Sequence, residues 1–283
     1  MYPEQFAYHR PDSVSEAISL LNANPDAKIL AGGHSLLPAM KLRLAAPSAL
    51  IDIGRIGELK GISVNGGATI GAGATYRELI DAAELAVSFP MLVDAANVVG
   101  DPAVRSCGTL GGSLAHVDPA ADLTAVALAL DASVTVVGSG GQRTVPVSEL
   151  FVGLLTTSLA TDEIITSISL PSDFAGAKQA YMKHAHPASG YAVVGVAVAL
   201  KMDGDSCSSA RVAVTGSPEY AMRSAAAEAE LQGKSVNADS IAAAAAQVTS
   251  DLGELNGDVY ASADYRAHLT RVLTRRALEK ATA

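Results

Sequence analysis

Ala31-Gly32-Gly33-His34-Ser35-Leu36-Leu37-Pro38 and Gly108-Thr109-Leu110-Gly111-Gly112-Ser113 are the two stretches of this 283-residue chain on which the reading of its fold turns. Each follows or lies within a short β-like run, and the second leads into Asp118-Pro119-Ala120-Ala121-Asp122-Leu123. Adjacent glycines lack Cβ atoms, so a ligand can rest directly on backbone N–H groups. Successive N–H groups in a turn form an anion-binding concavity of the kind that holds a pyrophosphate. Two such loops can grip one diphosphate from both sides, which points to a dinucleotide cofactor.

Outward from these loops, the opening half alternates short α and β elements. Ser13-Val14-Ser15-Glu16 has the form of a capping box. Val14, Ala17, Ile18 and Leu21 follow at helical spacing, and Asn24-Pro25 stops the helix. Residues 28–31 read as a buried strand delivering the first loop, 38–44 as a turn or two of helix, and 50–53 as the next strand. A hairpin over 62–70 turns at Asn65-Gly66-Gly67. Helices are expected over 78–86, 91–98 and 121–130, and strands over 133–137, 143–145 and 163–170.

The pattern changes near residue 175. Strands are expected over 179–183, 192–202 and 210–214, the last two joined by Asp203-Gly204-Asp205. After Pro218 the chain reads as helix over 219–231, 240–249 and 265–283. Strands followed by a run of helices describe an α+β unit separate from the first. Two domains are therefore expected, 1–175 and 176–283, a division that domain sizes of about 100–150 residues allow.

A composition of 49% hydrophobic residues supports a sizeable core, and a net charge of −9 argues against nucleic acid, which needs clustered Lys and Arg. No apolar run reaches the ~20 residues that span a bilayer. The opening Met1-Tyr2-Pro3-Glu4-Gln5 has neither the basic nor the apolar region of a signal peptide, so a cytoplasmic location is expected. Two cysteines, Cys107 and Cys207, build neither a disulfide framework nor a four-thiolate cluster, and Cys107 reads as a buried structural thiol. His184 and His186 are the one close histidine pair, with no further ligand beside them. No metal site and no catalytic residue is expected on this chain: there is no Ser/His/Asp triad, no nucleophile and no carboxylate pair with a task. The chemistry belongs to a cofactor, and the protein supplies position and electrostatics.

A Rossmann fingerprint needs Gly-x-Gly-x-x-Gly. Gly71-Ala72-Gly73 begins one, but Tyr76 stands where the third glycine belongs, and no Walker A pattern is present. The two loops instead resemble the two FAD-binding motifs of the medium, flavin-binding subunit of molybdenum hydroxylases, the aerobic carbon monoxide dehydrogenase and xanthine dehydrogenase family. Tyr8-His9-Arg10-Pro11, Ile70-Gly71-Ala72, Asp101-Pro102-x-x-Arg105, Asp118-Pro119-x-x-Asp122 and Asp264-Tyr265-Arg266 fall in the family's order, so the resemblance covers nearly the whole chain.

The resemblance implies a vanillyl-alcohol-oxidase-type (PCMH-type) FAD-binding domain of two α/β subdomains. A C-terminal domain of one three-stranded antiparallel sheet and a helical bundle follows it. Ile29, Leu30, Ala31, Gly32, Gly33, His34, Ser35 and Leu36 would wrap the FAD diphosphate. Val99 and Gly100 match positions on the adenine and ribose side. Thr109, Gly111 and Gly112 would close over the cofactor with Ser113 nearby, where the family usually carries Asn. His116 matches a position that faces FAD or the surface. Asp122 matches an acidic residue bonded to an FAD hydroxyl or ring edge, and can also serve the N-terminus of its helix. Ile165 matches a backbone contact to the isoalloxazine. Lys183 matches a lysine beside the flavin pyrimidine, the alternative being a solvated lysine at a strand end. Tyr191 matches an aromatic residue by the flavin ring or is an ordinary packed tyrosine. His186-Pro187-Ala188-Ser189-Gly190 departs from the basic segment often found there.

The function implied is an FAD-binding electron-transfer subunit. It has a small partner carrying two 2Fe–2S clusters and a large partner carrying the molybdopterin cofactor, assembled as a dimer of heterotrimers. Electrons would pass from the clusters through FAD to an external acceptor, with peripheral contact to a membrane quinone system as one route. A stand-alone FAD-dependent oxidase or reductase of related fold is the alternative, and would need its own acid or base among His34, Tyr191 and Lys183. A flavin-free scaffold is disfavoured by the intact glycines of both loops.

Overall fold

Short strands joined by capped helices build three larger sheets, each backed by its own cluster of buried apolar side chains, and the computed structural model describes residues 2–283. The first sheet is parallel. It is formed by β1 (Ala7–His9), α1 (Val14–Ala23), β2 (Lys28–Leu30), α2 (Leu36–Lys41) and β3 (Ala49–Asp52), with strand order β1-β3-β2. Ser13 starts α1 by accepting the Glu16 N–H at 3.2 Å. Glu16 returns to the Asp12 N–H at 2.9 Å, one residue before the partner a capping box would use. Val14, Ala17, Ile18 and Leu21 then share a buried cluster with Ile51 of β3 and Ile53 just beyond it.

The second sheet is antiparallel and frames most of the helices. The chain runs β4 (Ile62–Asn65), β5 (Gly67–Gly71), α3 (Tyr76–Asp81), α4 (Ala83–Ser88), α5 (Pro90–Asn97), α6 (Pro102–Cys107), α7 (Leu110–His116) and α8 (Asp122–Ala129). It returns through β6 (Ser133–Gly138), β7 (Gly141–Pro146), α9 (Val147–Leu150), the small hairpin β8 (Phe151–Gly153) and β9 (Thr156–Thr157), and β10 (Ile164–Leu170). The strand order is β4-β5-β10-β6-β7. The helix expected over 78–86 is broken at Ala82, which is extended at φ −78, ψ 93. Leu79 and Leu85 are both fully buried, and an unbroken helix would point them roughly 120° apart.

The second glycine stretch is not a loop within a β-like run. It is the N-terminal turn of α7, capped by Thr109, whose hydroxyl accepts the Gly112 N–H at 3.1 Å. It follows directly on α6, which Asp101 caps by accepting the Val104 N–H at 2.8 Å and which Pro102 opens.

The third sheet holds β11 (Lys178–Ala185), β12 (Ala192–Asp203), β13 (Ser206–Thr215) and β14 (Met222–Arg223), all antiparallel, followed by α10 (Ala225–Ala229), α11 (Ala238–Gln247) and α12 (Ala263–Thr282). Three strands are expected from the sequence and a fourth, short one is present, inside the stretch 219–231 that reads as helix. Met222 and Arg223 pair with Val214 and Ala213. The Arg223 guanidinium is drawn to Glu228 at 2.7 Å and Asp131 at 3.0 Å, so helix begins only after the Ser224 cap.

This sheet is covered on both faces. Val194, Val196, Val198, Leu200, Val212 and Val214 belong to the core made with α11 and α12. Ala197, Ala199, Ala213 and Tyr181 belong to the core of the first half. The small side chains on that second face let α8 approach closely, and all eight α8 residues are buried. A helix buried all round has no solvated stripe for charges. Its one ionisable residue, Asp122, stands at its first position.

Candidate functional site

β2 ends at Leu30 and the chain turns through 31–35 before α2. Gly33 sits at φ +75, in the left-handed region that glycine adopts without strain. The N–H groups of Gly32, Gly33, His34 and Ser35 donate to no acceptor among the described residues. Gly32 is glycine for another reason: a Cβ there would strike the Cys107 carbonyl and lie 2.8 Å from Gly108 Cα. The first loop is thereby seated on the end of α6 with a row of amides open. Such a row is the concavity a diphosphate requires.

The second motif does not offer a matching row. The Gly111 N–H donates to Ala72 O at 3.0 Å, the Gly112 N–H to Thr109 Oγ1, and the Ser113 N–H to Thr109 O at 3.0 Å. The expectation that both stretches grip one diphosphate through backbone N–H groups is therefore corrected, because the carbonyls of Ala72 and Ala74, the Thr109 cap and the first turn of α7 take up the amides of the second. Its glycines serve close packing instead. A Cβ on Gly111 would stand 2.6 Å from Ala72 Cβ, and one on Gly112 would stand 2.8 Å from Thr109 Oγ1, with Ala31 Cβ in ordinary contact at 3.8 Å. The second motif walls the first and presents the Ser113 side chain beside it.

Asp122, Lys183 and Tyr181 form a buried cluster. Asp122 Oδ1 accepts from the Tyr181 hydroxyl at 2.6 Å and Oδ2 from Lys183 Nζ at 2.9 Å. Lys183 also donates to the Val98 carbonyl at 3.0 Å. Side-chain exposure of the Lys183–Asp122 pair is 5% on each side, so Lys183 is not a solvated strand-end lysine. Each oxygen of Asp122 already accepts one hydrogen bond within the protein, and each retains a further acceptor position. Burial pushes the Asp122 carboxyl up, Lys183 and Tyr181 working against it, and burial raises the Tyr181 phenol well above its usual value.

Two further tyrosines link this cluster to the glycine loops. The Tyr191 hydroxyl meets Ser35 of the first loop, and its titration is raised by burial and by the charges of Asp118 and Asp122. Tyr76, which no sequence pattern singled out for this role, packs its ring on Gly108 and its hydroxyl on Ser113. Burial pushes it up to about 12. The residue that spoils the Rossmann pattern thus packs on the second glycine motif, and only its aromatic character in a glycine-rich segment hinted at it.

Val99 and Gly100 are held by Arg105, whose Nη1 donates to both carbonyls at 3.0 Å. Because Lys183 bonds the neighbouring Val98, these residues stand beside Lys183. Ile165 lies in β10 at a register shift, next to Thr166, whose carbonyl accepts the Ala72 N–H at 2.9 Å; Ala72 in turn holds Gly111. Ile29 and Leu30 are half-buried in β2, and Leu36 opens α2. His34 is exposed, and His116 is half-buried with Nε2 3.9 Å from Asp118 Oδ2. Cys107 is exposed and not a buried thiol; its carbonyl, not its sulfur, does the packing. A cavity of about 480 Å³ opens between α1 and β6–β7 and is lined by Thr166 beside Ile165, but by no residue of the two glycine motifs or of the Asp122 cluster. No group of His, Cys, Asp and Glu suited to a metal occurs among the described residues.

The open amides, the wall of glycines and tyrosines and the internal Lys183–Asp122 pair suit an extended, anionic, aromatic cofactor. A family model described as the FAD binding domain in molybdopterin dehydrogenase matches residues 4–173, and one described as the CO dehydrogenase flavoprotein C-terminal domain matches residues 179–281. The carbon monoxide dehydrogenase medium chain of Hydrogenophaga pseudoflava is 38% identical over 285 residues, covering 100% of this chain and 99% of that one. The glyceraldehyde dehydrogenase medium chain of Sulfolobus acidocaldarius is 33% identical over 281 residues, 99% of each. A solved structure of carbon monoxide dehydrogenase from Hydrogenophaga pseudoflava matches with a TM-score of 0.96 at 39% identity, covering 100% of this chain and 99% of that one.

Proposed function

Because this chain belongs to the family of FAD-binding medium subunits of molybdopterin dehydrogenases, we propose that it holds FAD on the first glycine loop. Through it, electrons from the 2Fe–2S clusters of a small partner reach an external acceptor. FAD, when bound, supplies the chemistry of taking up electrons singly or in pairs and handing them on. A large partner with the molybdopterin cofactor oxidises the substrate, and selectivity resides there.

The observation that carries this reading is the row of four unpaired N–H groups from Gly32 to Ser35. They would hold the diphosphate, with the Ser35, Thr109 and Ser113 side chains as further polar contacts and Tyr191 closing the side. Lys183, ion-paired with Asp122 at 2.9 Å, lies buried beside the Val98 carbonyl. We place the boundary between the cofactor domain and the C-terminal domain at residue 175, supported by the 3-10 turn Ser172–Phe174 between β10 and β11. We further propose a dimer of heterotrimers in the cytoplasm with peripheral access to a quinone system. No described helix is long and apolar enough to cross a membrane.

The test is to purify the chain with whatever subunits accompany it, precipitate with acid, and identify the released flavin and the co-purifying proteins. One FAD per chain with molybdenum and iron–sulfur partners is the expected result. A folded sample without flavin sinks the reading, and FAD without partners transfers it to a stand-alone flavoenzyme. Light scattering of the intact complex tests the dimer of heterotrimers by mass.

A further inference from the structure

β12 is a twelve-residue strand whose first nine residues are all buried, and one of the nine is Gly195. Glycine weakens a strand interior, and its presence there marks a close approach. The approaching group is Tyr181 of the neighbouring β11. A Cβ on Gly195 would strike the Tyr181 hydroxyl and lie 3.0 Å from its Cζ and 2.8 Å from Thr215 Cγ2. In register, Tyr181 faces Ala197 and Lys183 faces Gly195, so the phenol leans back along the strand and passes over the glycine. Only by that path does its hydroxyl reach Asp122 at 2.6 Å.

Tyr181 and Lys183, two residues apart, project from the same face of β11, and both end on the two oxygens of one carboxylate. The strand belongs to the C-terminal half; Asp122 and the Val98 carbonyl belong to the first. Asp122 also lies within electrostatic range of Tyr191, whose hydroxyl lies near Ser35 of the open loop. A buried ion pair persists only when its remaining lone pairs and protons find partners. The second oxygen of Asp122 has one side-chain partner, the Tyr181 hydroxyl, and Gly195 makes that partner possible.

We propose that Tyr181 is a positioning residue: donating to Asp122 across Gly195, it keeps the Asp122–Lys183 pair charged. The positive charge so held on Lys183 sets the reduction potential of FAD held on the first glycine loop. This rests on the FAD reading above. Without the hydroxyl, the carboxylate draws the Lys183 proton toward itself and the cationic charge beside the cofactor weakens. Reduction adds negative charge to the cofactor, so it becomes harder and the potential falls.

The experiment compares wild type, Tyr181→Phe and Gly195→Ala, each in the complex as purified, by released FAD per chain and by spectroelectrochemical titration of the flavin. One FAD per chain is expected in all three. A tenfold shift of the redox equilibrium toward the oxidised form, ~30 mV for a two-electron couple, is expected in both variants. Gly195→Ala displaces the phenol from a different strand, so agreement between the two separates the hydrogen bond from ring packing. If Gly195→Ala does not fold, Tyr181→Phe, which keeps the ring, decides alone. FAD retained at unchanged potential in Tyr181→Phe overturns the relay and leaves the FAD reading standing. Loss of FAD from folded Tyr181→Phe overturns it in favour of a binding role. Wild type without FAD overturns the FAD reading and the relay together.

Discussion

The carbonyl of Cys107 occupies the space in which a side chain on Gly32 would stand. Two segments far apart in sequence are thereby fastened backbone to backbone, and the open amides of the first loop take their position from the end of α6. Gly32→Ala drives a methyl group into a fixed carbonyl. Overpacking of this kind costs about 1–3 kcal/mol. The expected outcome is a lower unfolding midpoint and at least a tenfold loss of FAD affinity, read from urea denaturation and from FAD retained on gel filtration. Normal FAD retention in Gly32→Ala would show that the loop does not hold the diphosphate.

Lys183→Met leaves Asp122 buried without its counter-ion. Breaking one side of a buried pair costs about 3–5 kcal/mol, and both partners here are almost wholly inaccessible. The double variant Lys183→Met with Asp122→Asn removes the uncompensated charge and is expected to recover part of that loss. Denaturant titrations of the two single variants and the double variant give the coupling. A double variant as unstable as the sum of the singles would mean that the pair contributes nothing as a pair.

Arg266 fastens α12 to the third sheet. Nη1 donates to Val193 O at 2.6 Å and to Gly216 O at 2.9 Å, and Nη2 meets Asp258 at 2.6 Å, with the residue 7% exposed. Arg266→Met retains the apolar stem but leaves two buried carbonyls without donors, at about 1–3 kcal/mol each. Limited proteolysis is expected to cut within residues 257–283 of the variant faster than in wild type, with unfolding at lower denaturant.

Stability should also depend on Glu163. Arg143 donates to it at 2.6 and 2.7 Å, and the Ala160 N–H adds 2.8 Å, holding its carboxyl below the ordinary range. A carboxyl that is lower in the folded than in the unfolded state stabilises above the unfolded value, near 4.3. That contribution is lost as pH falls through the folded value. The stability difference between wild type and Glu163→Gln is therefore expected to be present at neutral pH and to shrink as the pH falls below the unfolded value. A difference independent of pH would show that the ion pair contributes nothing.

Much of the local structure was legible from residue type and spacing. The Ser13 cap, the Asn65-Gly66-Gly67 hairpin turn, the alternating strand before Pro171 and the fully apolar run of β12 are each specified by neighbours a few positions away. The first glycine loop was equally legible, because its chemistry resides in consecutive amides. The ordered motifs also identified the family and its cofactor from residue identity alone.

Tertiary structure decided what depends on partners distant in sequence. Gly32 and Gly111 both admit a neighbouring segment, yet Gly32 keeps its amide open while Gly111 gives its amide to Ala72 O, a difference set by what packs on each. Asp122 and Lys183 share a bond across a long sequence separation. Tyr181 carries no signal of its own until Gly195 is seen beneath it. Glu219 to Leu231 has helical composition, yet Arg223 is held by Asp131 and Glu228, and two residues become strand. Local propensity is a sum over near neighbours, whereas a buried charge or a backbone contact is settled only by the groups that the completed fold brings against it.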